Sequence, residues 1–315
     1  MNFWNTIQQI FLATCIITSC IFSGCITEES PTTENSLILS VGKTTDAQYT
    51  SIQAAIDNAT QNHTVYVSAG VYYENIVINT SINLKGEDKQ TTIINGNHSG
   101  NVVLIKESGQ ANISGFSIQN SGPFESSTTN AAIKILSDEN TISNSIFQNN
   151  NIGIYSTHTN NNTYSHNIFD NNTMYGAYLY SSSDYTMISD NIFKNNYCGL
   201  RIKGSLHNTI TRNLFINNTE GMFFCCSARL NLVYHNSFIN NTLWNADDLV
   251  YNNEWDGGYL LGGNYWDDYN GIDIFSGENQ NVTGSDGIGD SPYNITSDGK
   301  MDRYPLMEPI EMSKK

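Results

Sequence analysis

Apolar and polar residues alternate along most of this 315-residue chain, and asparagine or glycine cuts the alternation at short intervals. Sustained helical spacing of apolar residues is confined to one short segment near the start. Elsewhere one phrase returns five times: Asn144-Ser-Ile-Phe147-Gln-Asn-Asn150, Asn167-Ile-Phe169-Asp-Asn-Asn172, Asn191-Ile-Phe193-Lys-Asn-Asn196, Asn213-Leu-Phe215-Ile-Asn-Asn218 and Asn236-Ser-Phe238-Ile-Asn-Asn241. Its phenylalanines lie 22, 24, 22 and 23 residues apart. A period in that range marks a solenoid, whose units bury their apolar faces only by stacking. Short alternating strands separated by turn residues make each unit a coil of β-strands. The predicted architecture is an all-β parallel β-helix over residues 37–255.

Alignment of the repeats turns them into columns. Ile142, Tyr164, Ile188, Ile210 and Val233 stand five residues before each Phe and should point inward, as should the phenylalanines. Asn167, Asn191, Asn213 and Asn236 sit at a tight turn, where a left-handed backbone suits Asn and stacked amides can bond from coil to coil. Gly153, Gly176, Gly199 and Gly221 each open a further strand. Alternation then directs a file outward: Lys134, Tyr155, Tyr178, Arg201, Phe223 and, last, Asp247.

Before the repeats, Thr50-Ser-Ile-Gln53 matches a capping box, and Ile52, Ala55, Ile56 and Ala59 follow at helical spacing. A helix at 51–59 would cover the open first coil, whose strand edges would otherwise aggregate. Strands are expected at Val65-Tyr-Val67, Asn75-Ile-Val-Ile78, Ile82-Asn-Leu84 and Thr92-Ile-Ile94. This stretch resembles the N-terminal coils of pectin-lyase-like β-helix proteins, a likeness that speaks for fold more than for activity.

Net charge is −16 and only 14% of residues are charged. Nucleic acid is excluded as a partner, because it demands a basic footprint. Acidic polysaccharide is also repelled unless local cations compensate. Ile10 to Cys25 is an apolar stretch of secretory length, too short for a comfortable membrane span. It ends in Phe22-Ser-Gly-Cys25, which resembles a lipoprotein cleavage box. Residues 1–25 are thus expected to be a signal peptide, Cys25 the lipidated residue, and 26–36 a polar tether. The mature chain would sit membrane-anchored on the extracellular or periplasmic side. Eleven Asn-x-Ser/Thr sequons agree with export. Cys198, Cys225 and Cys226 are odd in number, so one disulfide and one free thiol are expected.

From Trp255 the pattern changes to Gly, Asp and aromatics, as in Gly262-Gly-Asn-Tyr-Trp-Asp-Asp-Tyr269, Gly284-Ser-Asp-Gly-Ile-Gly-Asp290 and Asp302-Arg-Tyr-Pro-Leu306. A closing cap is expected at 256–310. With these motifs the chain resembles the NosD-like right-handed β-helix family, and within it the archaeal surface-protein type. That group takes its name from a periplasmic copper-binding component of nitrous oxide reductase maturation. The resemblance spans 37–310 and implies copper by family name only.

The residues present offer several chemistries. Copper needs convergent soft ligands, yet His166 and His235 lie three coils apart, about 14 Å at roughly 4.8 Å per coil. Adjacent Cys225 and Cys226 should face opposite ways. Calcium suits the cluster Asp267, Asp268, Asp273, Asp286, Asp290, Asp298 and Asp302, with Asp286 and Asp290 as its candidate ligands. Arg201-Ile-Lys203 resembles an element of polygalacturonase-type hydrolases, but the accompanying Asn-Thr-Asp and Gly-His-Gly elements are missing upstream, and Asp247-Asp248 follows in the wrong order. Exposed aromatics beside Arg and Lys suit sugar rings without cleavage. The expectation is a non-catalytic envelope protein whose outward file binds surface polysaccharide or another surface protein. A polysaccharide lyase or hydrolase, and a copper-binding accessory, are the alternatives.

Overall fold

The computed structural model describes residues 37–123, 129–296 and 299–311; the leader, Cys25 and the tether lie outside them. The described chain winds into the expected right-handed parallel β-solenoid of about nine turns, with almost no helix. Each coil contributes one short strand to each of three sheets. The first sheet runs from Ile38–Val41 to Leu232–Tyr234, the second from Gly70–Tyr73 to Tyr265–Trp266, and the third from Ile76–Ile78 to Trp244–Asp248.

The predicted inward columns are in register. Ile142, Tyr164, Ile188, Ile210 and Val233 pair in order and are fully buried. Phe147, Phe169, Phe193, Phe215 and Phe238 stack with ring centroids 5.0, 4.6, 4.8 and 4.8 Å apart. Stacking continues beyond residue 255, the expected end of the helix. Trp266 lies 4.4 Å from Phe238 and Tyr293 lies 4.3 Å from Trp266, so the cap's aromatics extend the same file.

Asparagine serves two separate roles at each corner. The left-handed residue is not Asn167, Asn191, Asn213 or Asn236, as expected from sequence, but the residue before each. His166, Asp190, Arg212 and His235 have φ between 56° and 58°. That kink turns the next side chain into the interior, where alternation alone would have left it outside. The buried asparagines then form a ladder. Asn191 N–H and Nδ2 both donate to Asn213 Oδ1 at 3.0 Å, while Nδ2 also donates to the Tyr164 carbonyl at 2.8 Å. The second corner repeats the device, with Asn149, Asn171, Asn195 and Asn217 left-handed and Asn150, Asn172, Asn196 and Asn218 buried. A third ladder, at Asn140, Asn162, Asn208 and Asn231, escaped the sequence reading. Its signal was an Asn two residues before Ile142, Tyr164, Ile210 and Val233.

Each ladder has a direction: the Oδ1 of every rung receives hydrogens from the coil before it. The last rung therefore needs a pure acceptor, and each ladder ends on a carboxylate. Asn264 donates its backbone N–H to Asp302 Oδ2 at 2.7 Å, Asn245 reaches Asp267 and Asp268 at 3.0 and 2.9 Å, and Asn253 reaches Asp248 at 3.1 Å. Asp302 is fully buried. Burial pushes its carboxyl up to about 7, against N–H donors from Asn264, Trp266 and Tyr304 that favour the anion.

The glycines are needed for space. A Cβ at Gly176 would lie 2.5 Å from the Gly199 carbonyl oxygen and 2.7 Å from Phe193 Cδ1. At the other end the helix is Ile52–Asp57, with Ser51 rather than Thr50 as its N-cap. Glu74 takes the place expected for Gln53, accepting from Ile52 and Gln53 N–H at 2.9 Å each. Gln53 instead pairs with Val77 on the sheet edge, accepting its N–H at 2.7 Å and donating to its carbonyl at 3.2 Å. A side-chain amide thereby substitutes for a missing strand and blunts the edge.

Two predictions follow from the ladders. Thr186 interrupts the third, leaving Asn162 Nδ2 and Thr186 Oγ1 buried without partners. Thr186→Asn should restore the rung and stabilise the fold by about 1 kcal/mol, read as a raised urea midpoint. Asp302 binds its proton more tightly in the folded chain than in the unfolded one. Its contribution to stability is complete below about pH 4 and is lost as pH rises through about 7. Urea titrations between those limits should show this decline in the parent and a flatter profile in Asp302→Asn.

Candidate functional site

The outer surface of the third sheet collects the chain's exposed chemistry. Its two longest strands, Ile152–Asn160 and Tyr175–Asp184, carry a register irregularity between Thr157 and Thr159. Lys134, Tyr155, Tyr178, Arg201, Phe223 and Asp247 align across six successive coils, as expected. One member is less accessible than alternation implied. Tyr155 is only 6% exposed, packed with Ala131, Ile152, Tyr175 and Cys198 in a small apolar cluster outside the solenoid. It supports the surface and presents little ring area to a ligand.

Arg201 lies at the centre. Nη1 donates to Tyr175 Oη at 3.0 Å and Nη2 to Cys225 Sγ at 3.6 Å. Its Cζ sits 4.8 Å from the Phe223 ring centroid, 5.4 Å from Tyr175 and 5.8 Å from Tyr178. Nε is buried and has no hydrogen-bond partner. Burial works against the charge, but the Tyr175 phenol, the Cys225 thiol and the Tyr178 phenol outweigh it and raise the guanidinium's pKa above its usual value. Lys203 lies 5.3 Å from the Tyr180 ring and Lys134 lies 5.5 Å from Tyr155. Elsewhere, by contrast, Lys194 on the second sheet and Arg212 at a corner pair with Asp170 and Asp190 at 3.1 and 2.9 Å. Cations on the third sheet rest on rings.

Sequence reasoning missed Tyr175 and Tyr180. Tyr180 continues the same alternation and was within reach of it. Tyr175 sits three residues before Tyr178 because Gly176 breaks the period of two, so no simple template finds it. Glu220, only 6% exposed, was also missed, and it lies beside Tyr197 and Cys198.

Beside this face, the second corner forms an open groove of about 890 Å³, floored by Asn149, Asn171, Asn195 and Asn217 and flanked by Tyr197. Elsewhere the candidate metal residues are engaged locally. Asp286 accepts from Tyr259 Oη at 3.0 Å and Ile288 N–H at 3.1 Å; Asp290 accepts from Ile274 and Phe275 N–H, both at 3.1 Å. Among the described residues no three His, Cys, Asp or Glu side chains converge on one point.

The thiols require a correction. Cys198, Cys225 and Cys226 are all unbridged, where one disulfide was expected. Cys225 pairs in register with Lys203, five residues along the strand from Cys198, and Cys226 lies in a left-handed turn. Strand geometry thus keeps Cys198 and Cys225 well apart.

These features define a three-sheet parallel β-solenoid bearing a cation-and-aromatic strip on one face. The NosD family, described as periplasmic copper-binding protein, matches residues 56–271, and the chain belongs to that family. No relative was found among curated proteins by sequence. Similar solved structures include a pectin methylesterase from Erwinia chrysanthemi (13% identity, 66% of this chain and 80% of that one, TM-score 0.39). Others are the carrot pectin methylesterase (15%, 76% and 82%, 0.37) and the catalytic domain of a GH87 α-1,3-glucanase bound to tetrasaccharides (13%, 76% and 50%, 0.41).

The family description implies copper, and the donors here do not fit that ion. The His235 ring is bonded to the Leu261 carbonyl, Cys198 donates to the Leu200 carbonyl at 3.5 Å, and Cys225 faces a guanidinium. One prediction follows for the thiols. Burial raises the pKa of Cys198 and of Cys225, while Cys226 is exposed. Iodoacetamide at about pH 8 should label Cys226 in the native protein and reach the other two only after unfolding, as read by peptide mass mapping.

Proposed function

We propose that this protein is an exported, non-catalytic binding protein that presents its third sheet to acidic glycan of the cell envelope. The family's periplasmic description supports export, and lipidation at Cys25 would hold the solenoid at the membrane. The observation that carries the reading is Arg201. It is a cation in a chain of net charge −16, supported by three rings and unpaired with any described carboxylate. A planar guanidinium suits a sugar carboxylate, and the flanking Tyr178 and Phe223 offer ring faces for stacking. Lys134 extends the positive strip along the axis and Lys203 widens it along the strand, which offsets the overall repulsion.

A second reading keeps the same face but adds turnover. Arg201 and Lys203 do both face outward on one strand, as in the Arg-Ile-Lys element of polygalacturonase-type hydrolases. Hydrolysis also needs two suitably spaced carboxylates, and Arg201 itself is held by a phenol and a thiol.

Binding to polygalacturonate, measured by calorimetry, should weaken about tenfold in Arg201→Ala and in Tyr178→Ala, a change of about 1.4 kcal/mol each. Circular dichroism should remain that of the parent. Unchanged affinity in both variants would remove the proposed face. Release of reducing ends or unsaturated product, abolished by Arg201→Ala, would replace binding with catalysis.

A further inference from the structure

The solenoid sorts its asparagines into two populations. Seventeen are buried, and none of these begins an Asn-x-Ser/Thr sequon. All eleven sequon asparagines are exposed, and only seven other described asparagines are. Strand alternation explains the first half of this division. In the first and third ladders the residue two places on also faces the core and is apolar or aromatic, as Phe169 follows Asn167, while in the second ladder Met174, Cys198 and Glu220 hold that place. It does not explain the second half. Ser and Thr make up about one residue in five, yet they stand two places after most exposed asparagines.

The best-placed sequons occupy the corners. Asn161, Asn217 and Asn240 have φ of 57°, 55° and 54°. The left-handed turn directs each side chain away from the body, and the following residue, Asn162, Asn218 or Asn241, supplies the ladder rung. None of the three exposed side-chain amides makes a hydrogen bond within the described structure. Asn171 shares the second corner, but its Nδ2 is already bonded to Asn149 Oδ1 at 2.7 Å. No sequon asparagine lies on any strand of the third sheet.

We propose that this protein carries N-linked glycans at its corner sequons, on Asn161, Asn217 and Asn240, and that they leave the third sheet bare. The donor is an oligosaccharide linked through phosphate to a polyprenyl lipid. The asparagine Nδ2 attacks the anomeric carbon, a C–N bond forms as the carbon–oxygen bond to phosphate breaks, and the lipid phosphate departs. The amide proton passes to a base of the transferase, and no oxidant or reductant is consumed. The groove over the second corner is, on this account, a place where sugar is attached and not one where it is captured.

The test is glycopeptide mass spectrometry on the protein isolated from the envelope of its own cells, with the bacterially expressed chain as the unmodified reference. Peptides containing Asn161, Asn217 or Asn240 should carry a hexose-type mass increment, and the exposed non-sequon residues Asn149 and Asn195 should not. Thr219→Val should remove the increment at Asn217 alone, and Thr219→Ser should restore it. Because Thr219→Ser keeps the sequon, its recovery separates lost recognition from lost folding. Sequence masses for all three corner peptides would overturn the proposal, as would modification confined to the cap or equal modification of Asn195. Neither result depends on whether the third sheet binds glycan.

Discussion

The solenoid depends on hydrogen bonds that all run the same way. In each ladder an asparagine donates two hydrogens to the carbonyl oxygen of the next rung and a third to backbone of the coil before. Such chains of amides polarise one another, so the rungs reinforce collectively in a way that isolated pairs do not. The same arrangement imposes an end condition. A polarised chain closed on another donor would leave buried hydrogens facing one another, and closure on Asp302, on Asp267 with Asp268, and on Asp248 avoids this. An anionic acceptor at the terminus strengthens the final bond, while burial of Asp248 and Asp302 opposes their ionisation.

The ladders also set the geometry of the outer surface. Fixed corners keep the strands in register, and register makes a straight file of every third-sheet position. Side chains in that file are one strand spacing apart, roughly 4.8 Å, so a guanidinium can reach rings on both neighbouring coils. Arg201 does so, touching Tyr178 on the coil before and Phe223 on the coil after. The same rigid corners hold their left-handed residues away from the body. One turn thus gives a buried amide for stability and an exposed amide for modification.

Much of this was legible from the repeats. The Phe file, the inward aliphatic column and the order of the outward file all follow from a period near 23 and an alternation of two, because a coil that stacks on its copy must repeat its environment. The cap is harder to read, because acidic residues in a Gly-rich segment look alike whether they bind a cation or accept backbone N–H groups. Asp286 and Asp290 accept such groups, and Asp267, Asp268 and Asp302 receive ladder amides from chain positions 22 to 38 residues away. Spacing along the chain carries no trace of those partners.

Sequence by itself determined the coil, its handed family and the identity of each file, since these need only local periodicity and identical neighbours. Tertiary structure decided how deep each file member lies and which asparagine turns the corner. Tyr155 is buried because Tyr175 and Ile152 crowd it from off-register positions, and His166 takes the left-handed turn while Asn167 takes the ladder. Both outcomes come from contacts between coils, where lateral packing and hydrogen-bond direction separate residues that alternation treats as equivalent.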